Sequence, residues 1–587
     1  MSTISGDPFE RHGPVLRDHL AFLYGDAQAD ELVPRLLARL RQTAERARIV
    51  PVPTTSRLGA RDALLISYAD QVTFGREAPL RTLRRLLDEH LADVVTGVHL
   101  LPFYPWTSDD GFSVVDYQRV DEAVGDWSDV AALAGRYRLM FDAVINHVSA
   151  ASAAFQGFLH GDERYQQHFI TLDPDTDLGS VVRPRTTPVL TRFDTSRGEQ
   201  FVWTTFSDDQ IDLNFANPEV LLEVVDVIMH YVERGARILR LDAVTFLWKE
   251  IGTSCVHLPQ THRVIQLLRT CLEAAAPDVV LLTETNVPHA ENVSYFGDGH
   301  DEAQMVYNFA LPPLALHTIA TGRVGELRAW ARELTTPSDE TTFFNFLASH
   351  DGVGVRPVEA LLEEADVRRL VRRAEAHGGQ VSYRSREGAE PAPYELNCSL
   401  YDLVNDPRAD DPLELQVRRF LGVHAVMLSL AGVPGLYVHS LLGSRNAHEL
   451  YARTGRARSL NRGRFEWAQL AAELDDPQHR RRRVLDGFRR LMAVRTRHPA
   501  FHPQAPQRLP DAPDQVLAVV RGGVSSEVVC LQSMHDQSAR VDVTALLGRP
   551  LPEGGYRDAL GGGWSSQAEV ALEPFETRWL EVPFVRT

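Results

Sequence analysis

The chain has 587 residues, of which 44% are hydrophobic and 24% charged, and its formal net charge is −18 because 79 Asp+Glu outnumber 61 Lys+Arg. This length is enough for several packed units. The acidic balance disfavours nucleic acid and anionic membrane surfaces as partners, so any phosphate must meet a local basic pocket.

No sequence feature overrides these exclusions. The arginine run 480–483 lies beside Asp475 and Asp476, which predicts a solvated helix face and not a nucleic-acid patch. The four cysteines show no C-x-x-C spacing, the first residues carry no basic and apolar signal, and no run is long enough to span a bilayer. We therefore expect a cytoplasmic monomer or homodimer that acts on small molecules, with no nucleic-acid or membrane partner and no cofactor or metal.

Residues 1–60 are predicted to form a helical extension. Leu32, Leu36, Leu37 and Leu40 recur at helical spacing, and 51–53, Pro-Val-Pro, closes the segment. We expect the extension to pack against the main domain.

Strands and helices then alternate through residues 61–499. The helix that begins at Asn217 and Pro218, a capping residue followed by a residue without an N–H, ends near Gly235 and leads directly into a buried strand. Eight such strands are predicted, at 63–68, 94–101, 138–147, 238–241, 279–284, 305–308, 343–351 and 435–437. This alternation predicts an α/β fold, a (β/α)8 TIM barrel.

Two long excursions and a final segment complete the predicted architecture. Residues 148–216 follow the third strand and residues 352–412 follow the seventh; loops of this length are usually lids or inserted subdomains. From residue 500 to 587, short apolar runs alternate with Gly, Pro and Asp turns, which predicts a C-terminal antiparallel β domain.

Three carboxylates fall at predicted strand ends, where the loops of a barrel form its site: Asp242, Glu284 and Asp351. Arg240 shares a strand face with Asp242 and would keep that carboxylate ionised, and the apolar strand before Glu284 would raise its pKa toward the value of an acid/base. Each feature alone is more simply a structural ion pair or a structural carboxylate. Together they suit retaining glycoside chemistry, in which two carboxyl groups stand roughly 5–5.5 Å apart across the bond.

The chain resembles glycoside hydrolase family 13, the α-amylase clan, from about residue 60 to its end. The resemblance rests on four segments: Asp142-Ala-Val-Ile-Asn-His147, Arg240-Leu-Asp242, Glu284, and His350-Asp351. It implies Asp242 as nucleophile, Glu284 as acid/base and Asp351 as transition-state stabiliser. It also implies that Arg240, His147 and His350 bind glucose.

Finer features resemble the sucrose phosphorylase subfamily, whose members use inorganic phosphate in place of water and release α-glucose 1-phosphate. These features are Leu100-Leu-Pro-Phe-Tyr104, Asp109-Asp-Gly-Phe112, Lys249 to Cys255, Asn308 to Pro313, and His350-Asp-Gly352. The resemblance places Asp109 on the far hydroxyls of glucose and Phe206 among the substrate-binding residues. Arg183-Pro-Arg185 resembles the loop that brings an arginine to the acceptor side, and Arg185 and Arg458 are candidate phosphate ligands because a guanidinium matches phosphate oxygens bidentately.

Departures from sucrose phosphorylases point to a subgroup. The N-terminal extension, Thr285 to His289 after the acid/base, and Tyr394-Glu395 where Tyr-Gln is usual resemble glucosylglycerate phosphorylases, which transfer glucose between phosphate and D-glycerate. Tyr394 and Glu395 are accordingly expected to bind substrate. A carboxylate acceptor needs a basic pocket, but phosphate alone already explains one, so this step rests on analogy.

The sequence thus predicts a retaining α-glucoside phosphorylase without a cofactor. A sucrose, sucrose 6'-phosphate or glucosylglycerol phosphorylase remains an alternative that a panel of acceptors would separate. A glucosidase or transglucosidase of the same clan is another, which product analysis with and without phosphate would separate. A catalytically silent barrel that serves as a scaffold is a further alternative. Such proteins typically lose one of the three carboxylates, and all three are present here.

Overall fold

Eight parallel strands close into a barrel in the computed structural model, which describes residues 7–47, 57–185, 187–386 and 389–584. The barrel strands are β1 Leu64–Ser67, β2 Gly97–Leu100, β3 Arg138–Ala143, β4 Ala236–Leu241, β5 Val280–Thr283, β6 Met305–Tyr307, β7 Thr342–Asn345 and β8 Val433–Tyr437. Each strand pairs with its chain neighbours, and β8 closes the ring on β1. The predicted (β/α)8 barrel is confirmed.

Helices cover the outside of the barrel, and two further helices of the described residues precede its first strand. Among these helices are α1 Pro8–Tyr24, α2 Asp26–Ala47, α3 Pro79–Leu86, α4 Trp127–Ala134, α5 Pro218–Glu233, α6 Pro259–Ala275, α7 Leu311–Thr321, α8 Leu413–Ser429 and α9 Arg480–Arg495. The start of α5 follows the expected chemistry, because Asn217 Oδ1 accepts a hydrogen bond from the Glu219 N–H at 3.1 Å and Pro218 opens the first turn. Its apolar face is buried, and Gly235, with a φ of 104°, makes the turn into β4.

Two predicted strands are too long, and the difference shapes the site. Strand β3 ends at Ala143, and His147 begins a short strand, His147–Ser149, that pairs antiparallel with Gln210–Asp212. Strand β7 ends at Asn345, so His350 and Asp351 lie in the loop beyond it. That loop is held by side chains, since Asn461 Nδ2 donates to Ser349 O at 2.8 Å and Arg462 Nε donates to His350 O at 2.7 Å.

Both excursions contain small antiparallel sheets. The first carries Thr171–Leu172, Leu190–Thr195 and Gly198–Trp203, and the second carries Val353–Gly354, Gln380–Arg386 and Ala389–Asn397. The C-terminal segment is antiparallel as predicted, with strands Gln507–Arg508, Val516–Gly522, Ser526–Ser533, Tyr556–Asp558, Trp564–Ser565 and Thr577–Pro583 in one sheet and Ala539–Asp542 with Glu569–Leu572 in another. The exact division into domains stays a prediction.

Helices α1 and α2 pack on the outside of α5 and α6. Leu16, Leu20, Leu32, Leu36 and Leu40 are buried there, and ion pairs such as Arg35–Glu219 at 2.7 Å frame the contact. This is the packing expected of the extension; the predicted Pro-Val-Pro end at 51–53 lies outside the described residues.

The arginine run at the start of α9 differs from its prediction as a solvated face. All four side chains are partly buried and hydrogen-bonded: Arg480 to Gly443 O, Arg481 to Glu473, Arg482 to Asp486 and Arg483 to Glu414. Long guanidinium side chains can cover apolar surface while their donors reach carbonyls and carboxylates. The run is therefore a packing element of the barrel's outer layer.

Candidate active site

Asp242 and Glu284 lie side by side at the carboxyl ends of β4 and β5. The two strands pair in parallel with Leu241 opposite Thr283, so the next residue of each strand is one of the carboxylates. The ladder continues past the strands, because the Asp242 N–H donates to Ala143 O and the Glu284 N–H donates to Leu241 O, both at 3.1 Å. Neighbouring strands stand about 4.8 Å apart, so this register places the two carboxylate residues side by side at one edge of the barrel.

Arg240 pairs with Asp242 within a buried network of charged side chains. Its Nη1 lies 2.7 Å from Asp242 Oδ1 and also contacts Asp142, which in turn lies 2.8 Å from His99 Nε2. Burial raises the pKa of Asp242 and so does the nearby Asp142, while Arg240 and His147 oppose the rise. The guanidinium thus fixes the direction of the carboxylate and favours its ionised form.

The pKa of the Glu284 carboxyl group is strongly raised. Burial raises the pKa of its carboxyl group from 4.5 to about 7, and the charges of Asp242 and Asp351 add to the rise while Arg240 opposes it. The Ala243 N–H donates to Glu284 Oε2 at 3.3 Å. Ala243 adopts a left-handed φ of 52°, an uncommon conformation for a residue with a Cβ, and it directly follows Asp242.

Asp351 lies under two arginines. Arg458 Nη1 contacts its Oδ1 at 2.7 Å and Arg462 Nη2 lies 3.7 Å away. Burial alone would raise the pKa of Asp351, but Arg458, His350 and Arg462 hold it well below its usual range. Arg458 also forms a bidentate pair with the buried carboxylate of Glu395, at 2.7 and 3.1 Å, so its guanidinium is shared between two anions.

Aromatic rings and hydrogen bonds order the remaining polar residues around the carboxylates. His147 Nε2 lies 2.8 Å from Phe112 O, and Gln210 Nε2 reaches both His147 Nε2 at 3.2 Å and Asp109 Oδ2 at 3.3 Å. The His350 ring stacks on Phe112 with centroids 4.9 Å apart. The centroid of the Phe206 ring lies 5.2 Å from that of the His147 ring, and the Arg185 guanidinium lies over the Phe206 ring, 5.9 Å from its centroid.

A different group of side chains leaves hydrogen-bonding capacity unused. Asn286 Nδ2 is 3.5 Å from the Tyr394 hydroxyl, and its Oδ1 is buried with no hydrogen-bond partner within the described ranges. Arg356 has its nearest described carboxylate oxygen, Glu291 Oε2, 4.0 Å away. Over the same described residues, Arg185 forms no ion pair within 4.0 Å.

One cavity of about 100 Å³, partly open to solvent, is lined by all twelve predicted site residues. These are Asp109, His147, Arg185, Phe206, Arg240, Asp242, Glu284, His350, Asp351, Tyr394, Glu395 and Arg458. The pocket is also lined by residues that the sequence did not single out, among them Gln210, Phe246, Asn286 and Arg356. Asn286 stood inside a quoted segment without a role, and nothing in the sequence marks Gln210 or Arg356.

The only lysine of the chain lies behind this pocket. Lys249 Nζ contacts Asp212 Oδ2 at 2.7 Å and Asn146 Oδ1 at 2.9 Å, with all three side chains buried, and it ties the first excursion to the segment after β4. Within the described residues there is no cluster of three or more His, Cys, Asp or Glu side chains that could hold a metal ion. No helix in that part of the chain combines the length and the apolar character that a membrane crossing needs.

The barrel and its carboxylates define an α-amylase-type catalytic domain, and comparisons with known proteins agree. The model of the α-amylase catalytic domain matches residues 90–368. The chain is 49% identical to glucosylglycerate phosphorylase from Allomeiothermus silvanus, covering 96% of this chain and 97% of that protein, and 40% identical to the enzyme of the same name from Escherichia coli, covering 96% and 99%. The crystal structure of sucrose 6F-phosphate phosphorylase from Thermoanaerobacter thermosaccharolyticum superposes with a TM-score of 0.70 at 25% identity, covering 81% of this chain and 94% of that one.

At this identity over nearly the whole length, the chain belongs to the glucosylglycerate phosphorylase family, a branch of the α-amylase clan. The family prediction is thereby confirmed.

Proposed function

We propose that the protein is a retaining glucoside phosphorylase whose substrates are 2-O-α-D-glucosylglycerate and inorganic phosphate and whose products are α-D-glucose 1-phosphate and D-glycerate. The observation that carries the proposal is the adjacent placement of Asp242 and Glu284 in one pocket, with the pKa of Glu284 raised to about 7. The names of the relatives support the choice of substrate.

In the first half-reaction, Asp242 attacks the anomeric carbon and Glu284 protonates the departing oxygen. The bond from that carbon to the acceptor oxygen breaks, and an ester to Asp242 Oδ forms with inversion. Glu284 is suited to this step because a pKa near 7 leaves a large protonated fraction at neutral pH. Arg240 keeps the attacking oxygen ionised and aimed.

In the second half-reaction, a phosphate oxygen attacks the same carbon from the face that the acceptor left. The ester to Asp242 breaks, a second inversion restores the α configuration, and the proton of the attacking phosphate hydroxyl passes to Glu284. Asp351, kept ionised by Arg458, steadies the positive charge that develops on the sugar ring in both steps.

The polar residues near the carboxylates suit a glucosyl unit. Asp109, His147 and His350 present acceptors and donors for sugar hydroxyls, and Phe112 and Phe206 provide apolar ring faces beside them. Arg185 is the proposed phosphate ligand, because Arg458 is already engaged by Asp351 and Glu395. A local guanidinium is needed since the chain as a whole is acidic.

Product analysis in both directions tests this proposal. The enzyme is incubated with glucosylglycerate, with and without phosphate, and glucose 1-phosphate and glucose are measured; we expect phosphate-dependent glucose 1-phosphate of the α configuration. In the reverse direction, glucose 1-phosphate is offered with D-glycerate, glycerol, fructose and fructose 6-phosphate, and D-glycerate is expected to be the best acceptor. Phosphate-independent release of glucose would identify a hydrolase instead, and preference for an uncharged acceptor would remove D-glycerate while leaving the mechanism standing.

A further inference from the structure

Four arginines of the described residues line the pocket, and they differ in what holds them. Arg240 and Arg458 each contact carboxylate oxygens at 2.7 Å or closer. Arg185 lies over the Phe206 ring, and Arg356 lies 4.0 Å from Glu291. The guanidinium groups of Arg185 and Arg356 therefore keep donors for an incoming anion.

The reaction proposed above brings two different anions to the glucosyl-enzyme, phosphate in one direction and the carboxylate-bearing acceptor in the other. Their attacking oxygens reach the same carbon, but their remaining oxygens differ in position and in chemistry. Phosphate surrounds one atom with oxygens that chiefly accept hydrogen bonds. An acceptor of the hydroxy-acid class carries a carboxylate on the carbon next to its reacting hydroxyl, and a further hydroxyl that can donate.

Arg356 lies next to the loop that follows the acid/base. Val355 N–H donates to Tyr394 O at 3.1 Å, which fixes the backbone beside Arg356 to the strand that carries Tyr394. Gly354 packs directly against the side chain of Asn286, two residues after Glu284, since a Cβ on Gly354 would stand 2.8 Å from Asn286 Oδ1. The Arg356 guanidinium and the Asn286 amide both line the pocket, and the amide lies two residues beyond Glu284 in the chain.

Within the described residues, Asn286 offers a free hydrogen-bond acceptor and Arg356 offers free hydrogen-bond donors. Asn286 Oδ1 is a buried acceptor without a donor in the described part of the chain, and leaving such a group unsatisfied is costly. Arg356 is a donor whose side chain is 20% exposed, so a charge-assisted bond to it is stronger than one in water. Glu291 is close enough to orient the guanidinium but too far for a hydrogen bond.

We infer that Arg356 is the residue that selects a carboxylate-bearing acceptor, by binding the carboxylate while Asn286 Oδ1 accepts a hydrogen bond from a hydroxyl of the same molecule. This assignment rests on the proposed function and adds to it the group that recognises the acceptor. The two arginines without a close ion pair then bind different anions: Arg356 binds the acceptor carboxylate and Arg185 binds phosphate.

A competition between two acceptors for one glucosyl-enzyme tests the assignment. Glucose 1-phosphate is the only donor, D-glycerate and glycerol are present together, and the ratio of glucosylglycerate to glucosylglycerol is measured at several acceptor ratios. Glycerol has the same three carbons but no carboxylate. Because both products arise from one intermediate, the ratio depends on neither the formation of that intermediate nor the amount of active enzyme.

We expect Arg356→Gln to lower this ratio about ten- to a hundredfold, the range for losing a hydrogen bond to a charged group, and Arg356→Lys to lower it less. Arg384→Gln, on the same excursion but outside the pocket, is the matched control and should leave the ratio within about threefold. With glucosylglycerate as donor, the ratio of glucose 1-phosphate to glucose reports phosphate capture; Arg185→Gln should lower it, and Arg356→Gln should change it by less than about threefold.

The outcomes separate the two proposals. A wild-type enzyme that prefers glycerol removes D-glycerate as the acceptor, and the Arg356 assignment with it. A wild-type enzyme that prefers D-glycerate, together with an Arg356→Gln ratio equal to that of wild type, overturns the assignment alone. It is overturned as well if Arg185→Gln, and not Arg356→Gln, abolishes the preference, or if Arg356→Gln loses phosphate capture to the same degree as glycerate transfer.

Discussion

Two sets of polar residues in the pocket differ in how their charges and hydrogen-bonding groups are satisfied. The paired set consists of two ion-pair clusters, Arg240 with Asp242 and Arg458 with Asp351 and Glu395, in which guanidinium nitrogens lie 2.7 Å from carboxylate oxygens. The open set, Arg185, Asn286, Arg356 and Tyr394, has weak internal contacts and unused donors and acceptors. Both sets line one cavity and differ in what they leave for a ligand.

This difference corresponds to two demands of the proposed reaction. The glucosyl unit is common to every step, so the groups around it can be fixed in advance at no later reorganisation cost. The partner of that unit alternates between an alcohol oxygen on an acid and a phosphate. Groups that serve two partners in turn are better left without strong partners of their own, because an ion pair would have to break at each exchange.

The largest effect is expected from removing the nucleophile of the paired set. Asp242→Asn keeps the shape of the side chain and removes its charge, so turnover should fall by at least about 10⁴-fold. The measurement is glucose 1-phosphate formation at saturating phosphate, with the circular dichroism spectrum and the Tm as checks on folding. Activity near that of wild type in a folded variant would show that another residue forms the ester.

The next effect concerns the acid/base and adds a dependence on pH. Glu284→Gln should lower turnover about 10²- to 10⁴-fold. In the wild-type enzyme, kcat/KM for phosphorolysis should fall as pH rises through about 7, because Glu284 must be protonated to release the acceptor. A wild-type profile that is flat between pH 6 and 8.5 with chemistry rate-limiting would contradict the assignment.

The same residue links catalysis to stability. The folded enzyme keeps the Glu284 proton up to about pH 7, whereas the unfolded chain loses it near pH 4.5. The free energy of unfolding should therefore decrease as the pH rises from about 4.5 to about 7. The loss amounts to at most about 3 kcal/mol. Glu284→Gln should remove it, making the variant more stable than wild type at pH 8 and similar to it at pH 4.5; equal stability curves would exclude the raised pKa.

Replacing one arginine from each set tests the comparison itself. Arg458→Met leaves Asp351 and the buried Glu395 without their partner and should lower the free energy of unfolding by about 3–5 kcal/mol. Arg185→Met, with no ion pair within 4.0 Å in the described part of the chain, should change it by about 0.5 kcal/mol or less. Denaturant titration measures both. The double variant Arg458→Met/Glu395→Met should recover part of the lost stability, because it no longer contains the unpaired Glu395 carboxylate. Similar losses of stability in the two single arginine variants would refute the division into sets.

The sequence predicted the paired set better than the open set, for a physical reason. Asp242 and Glu284 follow apolar strands in consecutive barrel steps, and strand register then fixes their relation. All twelve predicted residues line the pocket. Asp351 is one of them, although the predicted strand before it is six residues too long. It reaches the pocket because Asn461 and Arg462 hold the loop beyond β7.

Asn286 and Arg356 of the open set, and also Gln210, were not predicted as site residues, because their positions depend on contacts that no local pattern encodes. Arg356 follows a short strand in an excursion, and its position is set by Gly354 packing on Asn286 and by the Val355–Tyr394 hydrogen bond. Gln210 reaches the pocket only because its strand pairs with His147–Ser149. Such residues are positioned by pairings between distant segments, so neither periodicity nor a motif could identify them.

The smallest effect is expected at Gly354. A substitution there displaces Asn286 of the open set without changing the charge of any residue. A methyl group on Gly354 would stand 2.8 Å from Asn286 Oδ1 and 2.9 Å from its Nδ2, so Gly354→Ala should displace the amide, which is the flexible end of its side chain. We expect Tm to change little and the glucosylglycerate to glucosylglycerol ratio to fall about two- to fivefold, since one neutral hydrogen bond to the acceptor is weakened.

The matched variant Gly455→Ala changes a glycine that has open space around it and a positive φ of 65°, and that does not line the pocket. We expect this variant to lose some Tm and to leave the product ratio unchanged. If both variants left the product ratio unchanged, Asn286 would have no part in acceptor choice and would not belong to the open set.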